Sequence, residues 1–492
     1  MLGHPRSRRP GTVRVAILAF VLVWATACAP NAASPSPSPS SPAATSASPL
    51  PPDPVGIASR MTALALSRQL DALETIAREN GGTRGAGSTG DAATADFIAR
   101  TLSAAGYTVT EDPFQTAIYV DPGGNELELS GTGAQAFEDG RDFRTMLYSA
   151  AATAEGPVVT IGWDPDARTA DGPGCDASDY AGVPDGAIVL IRPGDCWRRS
   201  AVELAQAAGA AALVTAVPWS GRHEVRRHTL IDPEGIAIPA LAATKDVGDA
   251  LAAAAAVGGR ARITTTGSTE QRWVRSILAE LPGSDPDRVV IVGAHLDSTM
   301  DGPGLNDNGT GIAVLLELAR AAVGTLPRAT IRFAFWAAEE PGLRGSARYV
   351  ERLSPEERKR IVAYLNADML GSPNGIHGVY DEAGAAPGSA DIRDLFVADL
   401  ERTGLAWEAV DLSGGSDHLP FTIARVPTGG LFSGGSEELS PAQAERYGGT
   451  VGSPLDPCNH LACDGRSNVD DEMLARLAAS LARVVVQLAS RP

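Results

Sequence analysis

The sequence predicts an α/β protein in which a mixed, mostly parallel sheet carries helices on both faces and a second, small β-rich domain is inserted. From about residue 267 onward, short apolar runs alternate with amphipathic helical runs, as in parallel sheets covered by helices. Between about residues 119 and 266, short β-type runs separated by turns replace that alternation. The chain has 492 residues, enough for about two or three domains.

The first segment, residues 1–28, is predicted to be an export signal and not part of the fold. Arginines precede the apolar run "VAILAFVLVWATAC", which is too short for a stable membrane anchor. The run ends at Cys28 behind small residues, which is similar to a lipoprotein signal whose cysteine is acylated. We therefore expect an extracytoplasmic protein, attached to the membrane surface through Cys28, with plain secretion as the alternative.

Residues 29–57 are predicted to be a disordered tether. They are Pro, Ser and Ala with almost no charge or large apolar side chain, and such a tract cannot bury a core. The net charge of the whole chain is −18. Nucleic acid is therefore excluded as an expected partner, because a phosphate backbone attracts cationic surfaces.

Residues 58–118 are assigned to the N-terminal part of the sheet domain. The run "ASRMTALALSRQLDALETIAREN" has apolar residues at helical spacing and is stopped by Gly81 and Gly82. A Gly-rich loop, "GGTRGAGSTG", leads to a second amphipathic helix, "DAATADFIARTLSAAG", and then to the strand "YTVTEDPF". These residues are predicted to join the sheet formed by the last part of the chain.

Residues 119–266 are predicted to form the inserted domain. "GPVVTIGW" and "GAIVLIRPG" are typical of strands, and the alanine-rich run "SAVELAQAAGAAALVTAV" predicts one long helix. The four cysteines after Cys28 pair most simply by proximity in sequence, Cys175 with Cys196 and Cys458 with Cys463. An oxidising compartment permits both disulfides.

Residues 267–492 are predicted to form the core of the sheet domain. "RVVIVGAHLDS" and "ATIRFAFWAAEE" predict buried strands, and "NADMLG" the end of another. Helices are predicted in the runs "NGTGIAVLLELARAAVG", "LRGSARYVERL", "SPEERKRIVAYL", "DIRDLFVADLERTG" and "DDEMLARLAASLARVVVQLAS". Ligands of such sheets bind outside the carboxyl ends of the strands.

Polar side chains follow the predicted strands at these ends. They are His295, Asp297, Glu339, Glu340 and Asp368, joined by Asp307 from a Gly- and Asn-rich loop and His460 from a loop between two cysteines. Carboxylates brought so close repel one another unless a cation lies between them. Histidine and carboxylate ligands without thiolate suit zinc, and two ions bridged by one carboxylate form a co-catalytic site.

The motifs "GAHLDS", "GLNDNGTG", "WAAEEPGLRGS", "NADMLG" and "DPCNHLACD" resemble, in order and approximate spacing, those of the di-zinc aminopeptidases of metallopeptidase family 28. The secreted bacterial leucyl-type enzymes are the most similar group, and the resemblance covers about residues 58–118 and 267–490. It implies a zinc-exopeptidase phosphorylase/hydrolase-like fold. The segment "GCDASDYAGVPDGAIVLIRPGDCWRRSAVELAQAAGAAALVTA" resembles a protease-associated (PA) domain, which would serve as a lid or as a passive packing module.

The resemblance also implies a role for each residue. His295 and Asp368 would hold one zinc, Glu340 and His460 the other, and Asp307 would bridge the two. Asp297 would orient His295, and Glu339 would be the general base.

Two further residues are expected to line the cleft. His418, in "GSDHLPF", is the competing candidate for the histidine ligand, and His460 is preferred. Asn459 stands where relatives carry a tyrosine that helps to hold the oxyanion, so this stabilisation would fall more heavily on zinc.

The resemblance implies an exported aminopeptidase with two zinc ions per chain, acting on peptides with a hydrophobic first residue. A calcium ion is compatible but unplaced, and a monomer is favoured. Glu339 and Asp368 are the nearest carboxylates for the substrate's α-ammonium group. The alternatives on this fold are a single-zinc glutaminyl cyclase and a glutamate-releasing carboxypeptidase, which would need basic residues beyond Arg344. A non-enzymatic binding protein would lack a ligand or the base.

Overall fold

A computed structural model describes residues 50–131, 133–166, 172–192, 194, 196–216, 225–381, 384–412 and 415–492. The predicted signal segment, Cys28 and residues 29–49 of the predicted tether lie outside the described residues. The last residues expected in the tether belong to the folded body, because Asp53 caps a short helix and Ile57 is buried.

The described residues form sixteen strands in two sheets. They are β1 (Val109–Val120), β2 (Glu126–Ser130), β3 (Gln135–Phe137), β4 (Phe143–Thr145), β5 (Thr153–Ile161), β6 (Ile188–Ile191), β7 (Ala212–Ala216), β8 (Ala240–Ala243), β9 (Arg260–Thr264), β10 (Ser268–Leu281), β11 (Asp285–His295), β12 (Ala329–Trp336), β13 (Ile361–Ala367), β14 (Gly378–Tyr380), β15 (Glu408–Val410) and β16 (Thr428–Phe432).

Helices connect and cover these strands. They are α1 (Pro54–Ala58), α2 (Ala63–Glu79), α3 (Thr89–Ala104), α4 (Arg198–Ala207), α5 (Lys245–Ala256), α6 (Thr310–Ala322), α7 (Arg344–Glu351), α8 (Pro355–Arg360), α9 (Ser389–Arg402), α10 (His418–Ile423), α11 (Pro441–Tyr447) and α12 (Asp471–Ser490). Short 3₁₀ turns lie at Ala177–Tyr180 and Arg466–Asn468, and a π-turn lies at Leu305–Gly309.

The first sheet has the strand order β1-β10-β12-β11-β13-β16-β14-β15. Its four central strands, β12, β11, β13 and β16, are parallel, whereas β10 and β14 run antiparallel to their central neighbours. Along β11, Val290 and Val292 face the core shared with α6 and α12, while Val289 and Ile291 face a second core beside α7 and α10. This alternation confirms the predicted mixed sheet with helices on both faces.

The second sheet belongs to the inserted domain and has the order β3-β2-β9-β5-β6-β7-β8-β4. Strands β5 to β8 are parallel, and α4 and α5 pack against it. The insertion leaves and rejoins the first sheet through β1 and β10, which pair antiparallel from Val109–Ala279 to Val120–Ser268.

Two predicted helices are too long. The run from residue 200 to 217 ends as a helix at Ala207, and Ala212–Ala216 form the buried strand β7 between β6 and β8. The run from 354 to 365 ends as a helix at Arg360, and Ile361–Ala367 form the central strand β13. In both cases, pairing on two sides within a sheet outweighs local helix propensity.

The closing helix α12 lies in the core of the first domain. Among the described residues it is the one helix whose length and hydropathy match a membrane span. It is 67% buried and packs against α1, α2 and α9 and the central strands. Its apolar composition is therefore accounted for by packing within the domain.

Candidate functional site

The carboxyl ends of three adjacent parallel strands form the floor of a cleft. His295, at the end of β11, is in register with Trp336, at the end of β12. On its other side, β11 pairs with β13, which ends at Ala367, one residue before Asp368. The strand ends thus bring His295, Asp368 and the Glu339–Glu340 pair to one edge of the sheet.

The first group of converging ligand atoms comprises His295, Asp307 and Asp368. Their nearest nitrogen and oxygen atoms all lie within 4.8 Å of one another. Nε2 of His295 lies 3.1 Å from Oδ1 of Asp307 and 3.3 Å from Oδ1 of Asp368. All three residues are buried.

The second group comprises Asp307, Glu340 and His460. Nε2 of His460 lies 3.0 Å from Oδ2 of Asp307 and 3.3 Å from Oε2 of Glu340. The disulfide between Cys458 and Cys463 closes the loop that carries His460, confirming that prediction. Asp307 is common to both groups and offers a different oxygen to each.

The tautomer of His295 follows from its hydrogen bond. Nδ1 lies 3.0 Å from the carbonyl oxygen of Asp297, which can only accept. Nδ1 therefore carries a proton, which leaves Nε2, beside Asp307 and Asp368, as the nitrogen that would bind a metal ion. A metal-ligating imidazole has this arrangement.

The carboxylate of Asp297 differs from its expected use. Its Oδ1 is 4.0 Å from the imidazole, so His295 is oriented by the Asp297 backbone instead. The carboxylate accepts the backbone N–H groups of Glu339, at 3.0 Å, and Glu340, at 3.3 Å. It thus fixes the turn that directs both glutamates into the cleft.

Burial and crowded charge displace the pKa values of the cleft. Burial, together with Asp307 and Glu339, raises the pKa of Glu340 well above its ordinary value. Burial and neighbouring carboxylates raise the pKa of Glu339 as well, although His295 opposes them. Burial also acts on Asp307, but hydrogen bonds from His295 and His460 lower its pKa. Burial would lower the pKa of His295, yet the surrounding carboxylates raise it well above its ordinary value.

The donor set fits divalent metal ions. Oε1 of Glu340 and Oδ1 of Asp368 are buried and accept no hydrogen bond from any residue that the structure describes. Such oxygens are costly to bury unless a cation binds them. Two imidazole nitrogens and three carboxylates, without thiolate, suit zinc at two neighbouring positions.

Glu339 is placed differently from its neighbour. It groups with His295 and Glu340 but not with either set of three that contains Asp307. Glu339 therefore lies next to one residue of each group, His295 of the first and Glu340 of the second. The two adjacent glutamates thus have separate surroundings.

The residues expected to line the cleft occupy distinct places. Nδ2 of Asn459 donates to Oδ2 of Asp307 at 2.7 Å, so the amide positions the shared carboxylate. His418 is fully buried with its ring edge-on to Tyr380, at 5.0 Å between centroids. Within the described residues, His418 joins no group of candidate metal ligands.

Three supporting residues were not singled out in the sequence. Arg84, fully buried, donates to the carbonyl oxygens of Leu296, Pro303 and Gly304 in the loop leading to Asp307. Asp464 accepts the N–H groups of Asn306 and Asp307, and Ser416 donates to Oδ2 of Asp368 at 2.6 Å. Arg84 lies in "GGTRGAGSTG" and Asp464 ends "DPCNHLACD", so both positions were visible within quoted motifs.

The sequence is similar to those of known peptidases. Residues 276–485 match peptidase family M28, and residues 154–251 match the PA domain. An aminopeptidase of Pseudomonas aeruginosa is 35% identical over 429 residues, covering 86% of this chain and 80% of that protein. The probable lipoprotein aminopeptidase LpqL of Mycobacterium tuberculosis is 35% identical over 448 residues, covering 88% of this chain and 86% of that protein.

Solved structures show the same architecture. The aminopeptidase from Aneurinibacillus sp. strain AM-1 has a TM-score of 0.71 at 25% identity, covering 89% of this chain and 97% of that chain. A zinc aminopeptidase from Bacillus subtilis shares the fold with a TM-score of 0.65 at 23% identity, covering 88% and 96% of the two chains. Fold and cleft thus define the class, the zinc-dependent aminopeptidases, which are hydrolases.

The chain belongs to peptidase family M28 and carries a PA domain inserted into its peptidase domain. The disulfide between Cys175 and Cys196 in that insertion is also confirmed. Two disulfides in one chain are typical of proteins that fold outside the cytoplasm.

Proposed function

We propose that this chain is a co-catalytic aminopeptidase with two zinc ions, one held by His295 and Asp368 and the other by Glu340 and His460. The observation that carries the proposal is the shared position of Asp307, whose two oxygens lie beside different imidazoles. A carboxylate placed in this way can bridge two ions.

The chain's own residues then supply proton transfer and positioning. Zinc, when bound, provides a Lewis acid that polarises the scissile carbonyl and acidifies a nearby water. Glu339 takes a proton from that water and delivers it to the leaving amine. Asp297 holds Glu339 through its backbone N–H, and Asn459 keeps Asp307 in place. The negative cleft also suits the substrate's α-ammonium group, with Glu339 and Asp368 as its nearest partners.

A hydrophobic first residue is the proposed preference. Met369, the residue after Asp368, forms a buried apolar cluster with Tyr380 and Phe432. The cluster reaches the cleft at Met369, whose sulfur lies 3.6 Å from Nδ2 of Asn459. An apolar side chain placed there would bury its surface against this wall.

Attachment to the membrane surface through a lipid on Cys28 is proposed as well. The apolar segment before Cys28 and the relative named a lipoprotein aminopeptidase support it. Cys28→Ser should move the protein from the membrane fraction to the soluble extracytoplasmic fraction and abolish incorporation of labelled fatty acid. An unchanged distribution between the membrane and soluble fractions would contradict the lipid anchor.

The folded body is proposed to act as a monomer.

The activity is tested with purified protein and a small set of substrates. Leu-p-nitroanilide should be cleaved faster than Lys-p-nitroanilide, and N-acetyl-Leu-p-nitroanilide should resist cleavage. A chelator should abolish turnover, and zinc should restore it with saturation at about two ions per chain, the number of bridged positions. Equal cleavage of the acetylated substrate would refute aminopeptidase action, and ammonia release from an N-terminal glutamine would indicate a cyclase.

A further inference from the structure

A cavity of about 250 Å³ lies between the inserted domain and the peptidase domain. The metal cleft opens into it, because Glu340 and His460 are part of its lining. Ile118, Trp197, Met300 and Pro341 contribute apolar walls. Ligand pockets commonly have about 300–1,000 Å³, so this cavity can hold about one or two residues of a peptide beyond the scissile bond.

Two of the charged residues in this lining are engaged with each other. Asp301 accepts from Arg227 at 3.1 Å and also from Arg144 at 2.8 Å. Arg227 donates in addition to Asp121 at 2.8 Å. These groups fasten the inserted domain to the peptidase domain, and their charges are balanced within the protein.

Arg198 is a cation of the same lining with a different environment. Among the described residues, no hydrogen bond or ion pair engages its guanidinium. It stands at the first position of α4, where the helix dipole disfavours a positive charge. Arg198 is an exposed residue, so its guanidinium is accessible to a solute that enters the cavity.

The charges of the cavity orient a bound peptide. The α-ammonium group of a substrate is attracted by the carboxylates beside the metal positions and repelled by Arg198. A carboxylate is repelled by Glu340 and attracted by Arg198. These charges would place a bound peptide with its first residue in the cleft and its leaving portion toward Arg198.

We propose that Arg198 is a specificity-determining residue that binds a carboxylate on the leaving portion of the substrate, so that short peptides with a free carboxyl terminus are preferred. This inference rests on the proposed aminopeptidase function. An arginine can bind a carboxylate through two parallel hydrogen bonds. An acidic side chain near the carboxyl terminus offers the same chemistry, and the test separates these two sources.

The substrates for the test differ in one group at a time. Leu-Gly and Leu-Gly-Gly are compared with their carboxamides, with Leu-Gly-Asp-amide and with the acid Leu-Gly-Gly-Gly-Gly. We expect kcat/KM of the better short acid to exceed that of its amide by about tenfold to a hundredfold, the range for a hydrogen bond to a charged group. The pentapeptide acid Leu-Gly-Gly-Gly-Gly should lose this advantage. Leu-Gly-Asp-amide shows whether the carboxylate of an acidic side chain can replace the carboxyl terminus.

Variants assign the preference to Arg198. Arg198→Gln should remove the difference between acid and amide while leaving kcat/KM for the amides and for Leu-p-nitroanilide unchanged. Arg198→Lys should keep part of the preference, because it keeps the charge. The matched control is Arg262→Gln, which changes an exposed arginine on β9 of the same domain, outside the cavity lining. The ratio of kcat/KM between acids and amides should be the same in Arg262→Gln as in the unmodified protein.

Each result has a definite meaning. Equal rates for acids and amides in the unmodified protein, or a preference that survives in Arg198→Gln, would overturn the proposal. Should Arg198→Gln be destabilised, which a melting curve would show, the acid and amide rates of the unmodified protein and of Arg198→Lys decide. Failure to cleave Leu-p-nitroanilide would instead refute the proposed function, since that substrate has no carboxylate.

Discussion

At the scale of single residues, the adjacent glutamates Glu339 and Glu340 have different surroundings. Glu340 lies beside Asp307 and His460, whereas Glu339 lies outside both groups that share Asp307. The carboxylate of Asp297 accepts the backbone N–H groups of both. Like-charged neighbours are thus held in place by a third carboxylate bound to their backbone rather than to their side chains.

The first prediction separates these two roles. Glu339→Gln should lower kcat by at least about a hundredfold, because a neutral amide cannot accept a proton as a general base. Its metal content should stay near that of the unmodified protein. Glu340→Gln should instead lower the metal content, measured by elemental analysis after dialysis. Glu351→Gln, on an exposed position of α7, is the control for a change of charge. Substantial activity in Glu339→Gln would assign the base elsewhere.

Motifs allowed most of the site residues to be anticipated, and the supporting residues were missed for a physical reason. His295, Asp368 and the glutamates follow apolar strands, a position that a sequence displays directly. Arg84 acts from a loop more than 200 positions away from the carbonyl groups it binds. Its partners are backbone atoms, and contacts of that kind leave no pattern in side-chain types.

At the scale of elements, Arg84 ties the loop before α3 to the loop after β11. Arg84→Lys is predicted to destabilise the fold by about 2 kcal/mol, because an ammonium group cannot reach three diverging carbonyl oxygens, and unsatisfied buried acceptors cost about 1–3 kcal/mol each. Thermal unfolding measures the loss, and zinc affinity should fall with it. Arg78→Lys, at an exposed position near the end of α2, should leave both unchanged. Equal stability of the two variants would contradict the role of Arg84.

The ion pair between α9 and α12 gives a prediction with a pH dependence. Asp399 accepts from Nε and Nη2 of Arg483, each at 2.7 Å. Burial would raise the pKa of Asp399, but hydrogen bonds from Arg483 and Arg402 lower it below its ordinary value. A lowered pKa in the folded state stabilises the protein above the ordinary pKa of aspartate, about 3.9, and that contribution is lost as the pH falls through the lowered value.

Asp399→Asn is therefore expected to lower the free energy of unfolding by about 2 kcal/mol at neutral pH, as for other partly buried charge pairs. Denaturant titrations at several pH values should show the difference from the unmodified protein shrinking below about pH 4. Asp394→Asn, on the exposed side of α9, serves as the control. A difference that stays constant down to the lowest accessible pH would exclude a contribution from this carboxylate charge.

Element boundaries show what local patterns can predict. Helices α2, α3, α6 and α12 were anticipated to within a few residues because their apolar spacing is helical throughout. Strands β7 and β13 were absorbed into preceding helices, since no proline separates either strand from its helix. What makes them strands is pairing with distant strands on both sides, β6 and β8 for one and β11 and β16 for the other.

At the scale of the whole molecule, Asp301 fastens the inserted domain to the peptidase domain. It accepts from Arg144 and Arg227, both in the insertion. Asp301→Asn should loosen this contact, because two guanidinium groups would face a neutral amide. Hydrogen exchange should become faster in residues 143–145 and 225–230 and stay unchanged in β6 and β7. Asp287→Asn, an 88% exposed aspartate on β11, is the control. Unchanged exchange near Arg144 and Arg227 would show that other contacts hold the domain.

The two-domain organisation could be predicted because the pattern of strand-like and helical runs changes at about residues 119 and 266. The docking of the two domains could not be predicted, because it depends on single charge pairs such as Arg227 with Asp301. The sequence contains 41 lysines and arginines, and it does not show which of them pairs with Asp301. Cys28 was interpreted from the apolar run and the small residues before it, and the tether from its composition. The described residues begin at residue 50, within the predicted tether, and the last residues of that predicted segment belong to the folded body.

The antiparallel pair of β1 and β10 has a consequence for the ancestry of the protein. Val120 and Ser268 face each other in register at the end of this ribbon, so the insertion departs and returns at a single point. Replacing the intervening residues with a two-residue Asn-Gly turn would make an ordinary hairpin, as such turns join antiparallel strands. We expect that shortened chain to fold, with cooperative melting as the measurement. A whole domain can then be gained or lost through one recombination event that leaves every strand of the catalytic sheet uncut.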